Sequence, residues 1–303
     1  MVVPNARRLV LTGGSALHQT KAEDPRLSQV FRRFVIIDSE REKAALLKQL
    51  TNPTRPTVLG FLNAHAVNLC WSQPASRQAF EKADILLRDG AGMAILCRRL
   101  GLGPGLNMNG TDFIPEILAA RPGRRIALFG SEPALVAKAS ETLTGRGQDI
   151  VGALDGFQPP QRYVDEARRL HPDIIVLSLG MPRQEQLAAT LRQELPHPCL
   201  IINAGALIDF IAGRVRRAPP ILRRLGLEWA YRLLNEPVRL FHRYVIGNPL
   251  FLVRVHLLAA AAKRGDGQAP GPAAPSPGRS PVNGMPAGGK RRRRAIVSAR
   301  ETA

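Results

Sequence analysis

The sequence predicts an α/β fold: a doubly wound, mostly parallel sheet of Rossmann-like type with a C-terminal helical appendage. Two observations carry that prediction. Apolar runs of strand length alternate with helix-length segments from Phe34 to Asn203, and this alternation implies a parallel sheet covered on both faces. Several runs also end in a polar residue or a glycine, as at Asn63, Asp89-Gly90 and Gly130-Ser131. In open α/β sheets the carboxyl ends of the strands are where ligands sit.

Residues 1–33 alternate basic and apolar side chains without a period, and are read as poorly ordered. Phe34–Ile37 is a strand. Asp38 or Ser39 then caps a helix through Leu50, since a short polar side chain accepts from first-turn amides. Thr57–Leu62 is a buried strand ending in Asn63-Ala64-His65, followed by helix to about Phe80. Ala83–Leu87 runs into Arg88-Asp89-Gly90, and a small-residue helix continues to Leu100. A Gly-Pro-rich loop covers 101–110, with Thr111 or Asp112 capping the next helix. Arg125–Phe129, Ile150–Ala153, Asp173–Leu179 and Cys199–Asn203 are the remaining strands. Helices fill 133–143, Gln161–Leu170 and from Pro182 to about Glu194. The α/β domain therefore spans 34–213 and an arginine-rich appendage 214–262. Residues 263–303, rich in Pro, Gly and Ala, read as a disordered basic tail.

The net charge of +19 sits mostly at the C-terminal side. Residues 213–262 and 263–303 each hold nine Lys/Arg against two Asp/Glu, which points to an anionic partner there. Cys70, Cys97 and Cys199 are widely separated, without metal-ligand spacing, and read as buried packing residues of a reducing compartment. The N-terminus lacks an apolar core followed by a small-residue cleavage site, so export is not expected. With no long uncharged apolar run, a spanning helix is not expected either. Residues 244–262, broken at Asn248-Pro249, read as an interfacial segment.

Chemistry is sought just after the strands. Asp89 offers a general base or, equally, a helix N-cap. Gly130-Ser131 is a turn whose amides could receive a phosphate, a weak signal without a full Gly-rich fingerprint. Pro182 places Gln184 at the mouth of the site as a donor and acceptor, or merely in a polar first turn. Asp209 could accept from ribose hydroxyls or cap a short helix. Arg232, Arg239 and Arg243, spaced by seven and four, fall on one helical face. Such a guanidinium row suits a pyrophosphate; its bland alternative is a solvated basic face.

The ordered set of short motifs resembles the WecG/TagA/CpsF group of bacterial glycosyltransferases over about residues 35–250. Its pieces are Asn63, Leu87-Arg88-Asp89-Gly90, Gly110-Thr111-Asp112, Phe129-Gly130 and Gly180-Met181-Pro182-Arg183-Gln184-Glu185. The C-terminal pieces are Gly205-Ala206, Asp209-Phe210, Arg217-Ala218-Pro219, Leu227-Glu228-Trp229, Tyr231-Arg232-Leu233 and Glu236-Pro237 with Arg239. The resemblance implies an inverting, metal-independent transfer from a nucleotide sugar to a sugar on polyprenyl pyrophosphate at the cytoplasmic membrane face. It implies Asp89 as base, Gln184 and Asn63 near the reaction centre, and Arg232, Arg239 and Arg243 on the pyrophosphate.

Two departures bear on the donor. Phe61-Leu62-Asn63 replaces Thr-x-Asn, and Leu106-Asn107-Met108-Asn109 stands where members carry Glu-Arg, making Asn107 a candidate substrate contact. The pattern is similar to exopolysaccharide, xanthan-type glucosyltransferase members, which favours UDP-glucose over UDP-N-acetylmannosamine. The Lys290–Arg294 cluster would then attract anionic lipid. A rival reading, a non-catalytic nucleotide- or RNA-binding module with a basic arm, finds no nucleic-acid-binding motif in the globular part.

Overall fold

The structure, a computed structural model, describes residues 7–8 and 27–266. In chain order the elements are β1 (Arg7–Arg8), α1 (Ser28–Arg33), β2 (Phe34–Ile36), α2 (Glu40–Leu50), β3 (Thr57–Leu62), α3 (Ala64–Ser72), α4 (Pro74–Glu81), β4 (Ile85–Arg88) and α5 (Gly90–Arg99). There follow α6 (Gly110–Ala119), β5 (Arg125–Gly130), α7 (Pro133–Thr144), β6 (Asp149–Leu154), α8 (Pro160–Leu170), β7 (Ile174–Ser178), α9 (Arg183–Glu194), β8 (Leu200–Asn203) and α10 (Leu207–Ile211). The appendage comprises α11 (Pro220–Arg224), α12 (Glu228–Asn235), α13 (Pro237–Phe241), a π-turn (His242–Ile246) and α14 (Gly247–Asp266).

The strands form one sheet in the order β1-β2-β4-β3-β8-β7-β5-β6. Only the short β1–β2 edge pair is antiparallel; the other seven strands run parallel. All seven expected strands are present. Successive strand residues alternate between two apolar layers, as the period of two requires. Val58, Leu62, Leu86 and Phe129 face one layer, covered by α1, α3, α4, α5, α8, α9 and α14. Leu59, Phe61, Leu87 and Leu128 face the other, covered by α2, α6, α7 and α10. Cys70, Cys97 and Cys199 are unpaired and buried.

Several details differ from the sequence reading. Within the N-terminal segment, α1 forms and buries Val30 and Phe31. The cap of α6 is Asn109, whose Oδ1 accepts from the Asp112 amide at 3.0 Å, not Thr111 or Asp112. Pro249 does not break the C-terminal segment. It lies near the start of α14, immediately after the π-turn, and the helix runs on through it. The helical stretch Pro237–Ala262 is consequently long and apolar enough to cross a membrane by length and composition. One face of it is nevertheless built into the domain: Phe251, Val255 and Leu258 are buried in the main core. Arg254 donates to Asn68 Oδ1 at 2.8 Å. The described residues up to 266, the appendage included, accordingly fall in one compact unit. The basic tail, including Lys290–Arg294, lies outside the described residues.

Candidate active site

The end of β4 is shaped by Arg88. Its buried guanidinium donates to the carbonyls of Gly105 (3.0 Å) and Leu106 (3.1 Å), pinning the 101–109 loop over the strand end. Gly105 permits this approach: with φ at +61°, any Cβ there would stand 2.4 Å from the Ile37 carbonyl oxygen. The pinned loop brings Asn107 Oδ1 to 2.9 Å from the Gly90 amide. Asn107 thereby caps α5. Asp89 stands at the N-cap position but makes no side-chain cap bond. Its Oδ2 instead accepts from Asn63 Nδ2 at 3.1 Å. Asn63 is held in turn by accepting the Ala66 amide at 3.0 Å. The capping alternative for Asp89 is therefore not realised.

Across the cleft, β5 and β7 approach so closely at their ends that a Cβ on Gly130 would lie 2.4 Å from the Ser178 backbone. Ser131 follows in the left-handed region with φ at 64°. Its amide donates to the Ser178 carbonyl at 3.0 Å, so it is not a free amide awaiting a phosphate. The Ser131 hydroxyl bonds Asp209, whose other oxygen accepts from Arg214 at 2.8 Å. Asp209 does not cap α10; it ties that helix to the end of β5.

Gln184 is not at the mouth of the site but on its floor, with 0% exposure. Its Oε1 accepts from the Gly205 amide at 3.1 Å, and its Nε2 donates to Glu185 Oε1 at 2.8 Å. Because the Gly205 amide can only donate, Gln184 Oε1 must face it, which fixes the side-chain amide's orientation. The second Nε2 hydrogen remains to serve a ligand. Glu185, 2% exposed, has its other oxygen unpartnered. Burial pushes its carboxyl up to about 7, opposed by the Gln184 bond and by nearby Arg243.

The three arginines do not form one helical row. Pro237 lacks an amide proton and starts a new helix, so Arg232, Arg239 and Arg243 fall in α12, α13 and the π-turn. They nonetheless converge. A cleft of about 620 Å³ outside the strand ends is lined by Asn63, Asp89, Asn107, Ser131, Gln184, Asp209, Arg232, Arg239 and Arg243. Gly130 is just behind Ser131 and does not line it. The π-turn aims Arg243 inward, and Asn68 Nδ2 takes up the Gly247 carbonyl at 2.7 Å. Arg239 is ion-paired with Glu236. Arg232 and Arg243 each keep a buried Nε without a hydrogen-bond partner.

Cleft residues to which sequence reasoning gave no role include His65, Phe157, Asn203, Arg223 and Glu228. Asn203 closes β8 at 4% exposure with its Oδ1 unpartnered. Phe157 is an exposed aromatic at the rim. Glu228 is pushed up by burial, with Arg217 opposing and Asp89 reinforcing. Its signal lay in Leu227-Glu228-Trp229, a matched motif given no chemical role. Arg217, likewise in a matched motif without an assigned role, docks the appendage through an ion pair with Asp112. Among the described residues no group of three or more His, Cys, Asp or Glu side chains is arranged to hold a metal.

A carboxylate held at a strand end, a polar floor and unpartnered guanidinium groups can together activate a hydroxyl and hold a diphosphate. Comparison with known families matches residues 33–265 to the glycosyl transferase WecG/TagA/CpsF family. The matched span takes in all seven parallel strands and the appendage through nearly all of α14, and this chain belongs to that family of glycosyltransferases.

Proposed function

We propose that this glycosyltransferase moves a hexose from a UDP-sugar to a sugar carried on polyprenyl pyrophosphate, with inversion, and that UDP-glucose is the donor. The observation that carries the reading is the Asp89 carboxylate. It is relieved of capping by Asn107, held by Asn63, and shares its cleft with unpartnered arginines. In the transfer, Asp89 takes the proton of the acceptor hydroxyl as that oxygen attacks the anomeric carbon from the face opposite the nucleotide. The bond from that carbon to the diphosphate oxygen breaks, and UDP leaves with the electron pair. Arg232, Arg239 and Arg243 would hold the acceptor's pyrophosphate, and the positive charge of the cleft as a whole would offset that of the departing UDP, so no metal is required of this mechanism. Donor preference rests on the exopolysaccharide-type motifs around Asn63 and Asn107.

The acceptor's lipid would lie along the appendage. Its outward face carries Val238 at 92% exposure with Phe241, Val253 and Leu257 also exposed. An apolar surface flanked by arginines suits the inner face of the cytoplasmic membrane, with the protein bound peripherally. The test is release of UDP from a panel of UDP-sugars, with and without a short-chain lipid-pyrophosphate-linked sugar. Acceptor-dependent release from UDP-glucose is expected. No acceptor-dependent release from any donor would overturn the reading.

A further inference from the structure

His65 sits in the first turn of α3, two residues beyond Asn63, and lines the cleft. Among the described residues neither of its ring nitrogens makes a hydrogen bond. Other polar side chains at the ends of β3 and β4 and in α3 are engaged. Asn63 binds Asp89 and caps α3, Asn68 holds Gly247 and Arg254, and Asp89 receives Asn63. Arg243 lines the same cleft, and its charge acts on the imidazole. His65 thus shares the cleft with Asn63, which holds the carboxylate that would activate the acceptor hydroxyl, and with an arginine that would hold the acceptor's diphosphate.

On the proposed transferase reading, the part of the acceptor lying between those two points is its sugar ring. We infer that His65 is a specificity-determining residue that hydrogen-bonds a hydroxyl of the acceptor sugar. Its charge state fits the task. Burial, reinforced by Arg243, pushes the imidazole down to about 4. At neutral pH it is uncharged, with one N–H donor and one acceptor nitrogen, a match for a sugar hydroxyl rather than for a phosphate. A second cation beside Arg243 would compete for the diphosphate; a neutral ring leaves that contact to arginine.

The test compares the full-length wild type with His65→Phe and His65→Gln. Phe keeps a ring of similar size without polar atoms, and Gln restores a donor and an acceptor. Acceptor kcat/KM should fall about 2- to 10-fold in His65→Phe, the effect of one lost neutral hydrogen bond. It should recover at least partly in His65→Gln. Titrated UDP should bind all three proteins alike, which also shows that they fold. An acceptor analogue lacking the contacted hydroxyl should be used equally by wild type and His65→Phe. If wild type transfers the sugar and His65→Phe matches it on the natural acceptor, or if UDP binding falls in parallel with transfer, the assignment of His65 is overturned alone. If wild type transfers to no acceptor, the transferase reading falls and the role of His65 falls with it.

Discussion

Glu185→Gln should change how stability depends on pH. The Glu185 carboxyl is buried beneath Gln184 with one oxygen unpartnered, and burial raises it from 4.5 to about 7. Between those values the folded chain holds a proton that the unfolded chain has released. Stability associated with this group is therefore fully present below pH 4.5 and is lost as pH rises through about 7. At about 1.4 kcal/mol per pH unit, the loss amounts to about 3 kcal/mol, complete by about pH 8. Glutamine has nearly the same shape and its Oε1 can still accept from Gln184 Nε2, but it never ionises. Urea unfolding of both proteins at pH 5 and pH 8 isolates the effect, because contributions from other groups cancel in the difference. The margin of the variant over wild type should grow by about 2–3 kcal/mol between pH 5 and pH 8. A difference that stays constant with pH would mean that Glu185 is ionised or hydrated in the folded chain, and the reasoning from burial would fail.

Asp89→Asn should retain fold and UDP binding while lowering transfer by about 10²–10⁴-fold, measured as acceptor-dependent UDP release; near-normal turnover would remove Asp89 as base. Gly130→Ala should cost about 2–5 kcal/mol in chemical denaturation, because a Cβ there meets the Ser178 backbone and the φ of 131° is unfavourable. Arg243→Ala should weaken inorganic pyrophosphate binding about tenfold or more, whereas Arg239→Ala should do less because Glu236 already engages that side chain; the reverse order in a binding titration would contradict this. Replacing Val238, Val253 and Leu257 together with Ser should lower recovery on anionic vesicles about tenfold without loss of soluble fold, and equal recovery would exclude this face as the contact.

The parallel strands other than the edge strand β6 were legible because they are apolar runs buried on both faces, and a short run of this kind between two helices fits little besides a central parallel strand. Asn63, Asp89 and Gln184 were legible because strand ends in such sheets converge. What each side chain does there was less so. Whether Asp89 caps α5 depends on Asn107, eighteen residues away, which arrives only because Arg88 pins the intervening loop. That pin is tertiary and leaves no periodic trace. The arginine spacing of seven and four suggested one continuous helix, and Pro237 was the local signal against it. Ser28–Arg33 escaped notice because one short turn offers no repeating pattern; Val30 and Phe31 are fixed by what they pack against. Truncation after residue 242, attractive from sequence as a way to remove membrane binding, would strip Phe251, Val255 and Leu258 from the core. Substitutions on the outward face separate attachment from folding.

The appendage arginines divide by what already satisfies them. Arg214 is bound to Asp209 and Glu132, Arg217 to Asp112, and Arg239 to Glu236. Those pairs link the appendage to the sheet domain at Asp209, Glu132 and Asp112, or stiffen it internally at Glu236. Arg232 and Arg243 have no such carboxylate partner among the described residues, and each presents its guanidinium to the cleft while resting on an aromatic ring. Holding a cation partly out of water without a counter-ion is costly. The cost is offset when an anion arrives, because the same low local dielectric that penalises an isolated guanidinium strengthens its pairing. The paired arginines thus keep the appendage docked in the absence of ligand, and the unpaired ones make that docked arrangement favour an anionic one. A diphosphate bridging Arg232 and Arg243 would stabilise the closed cleft by its differential affinity for it, with Asp89 and Asn63 already in place beneath.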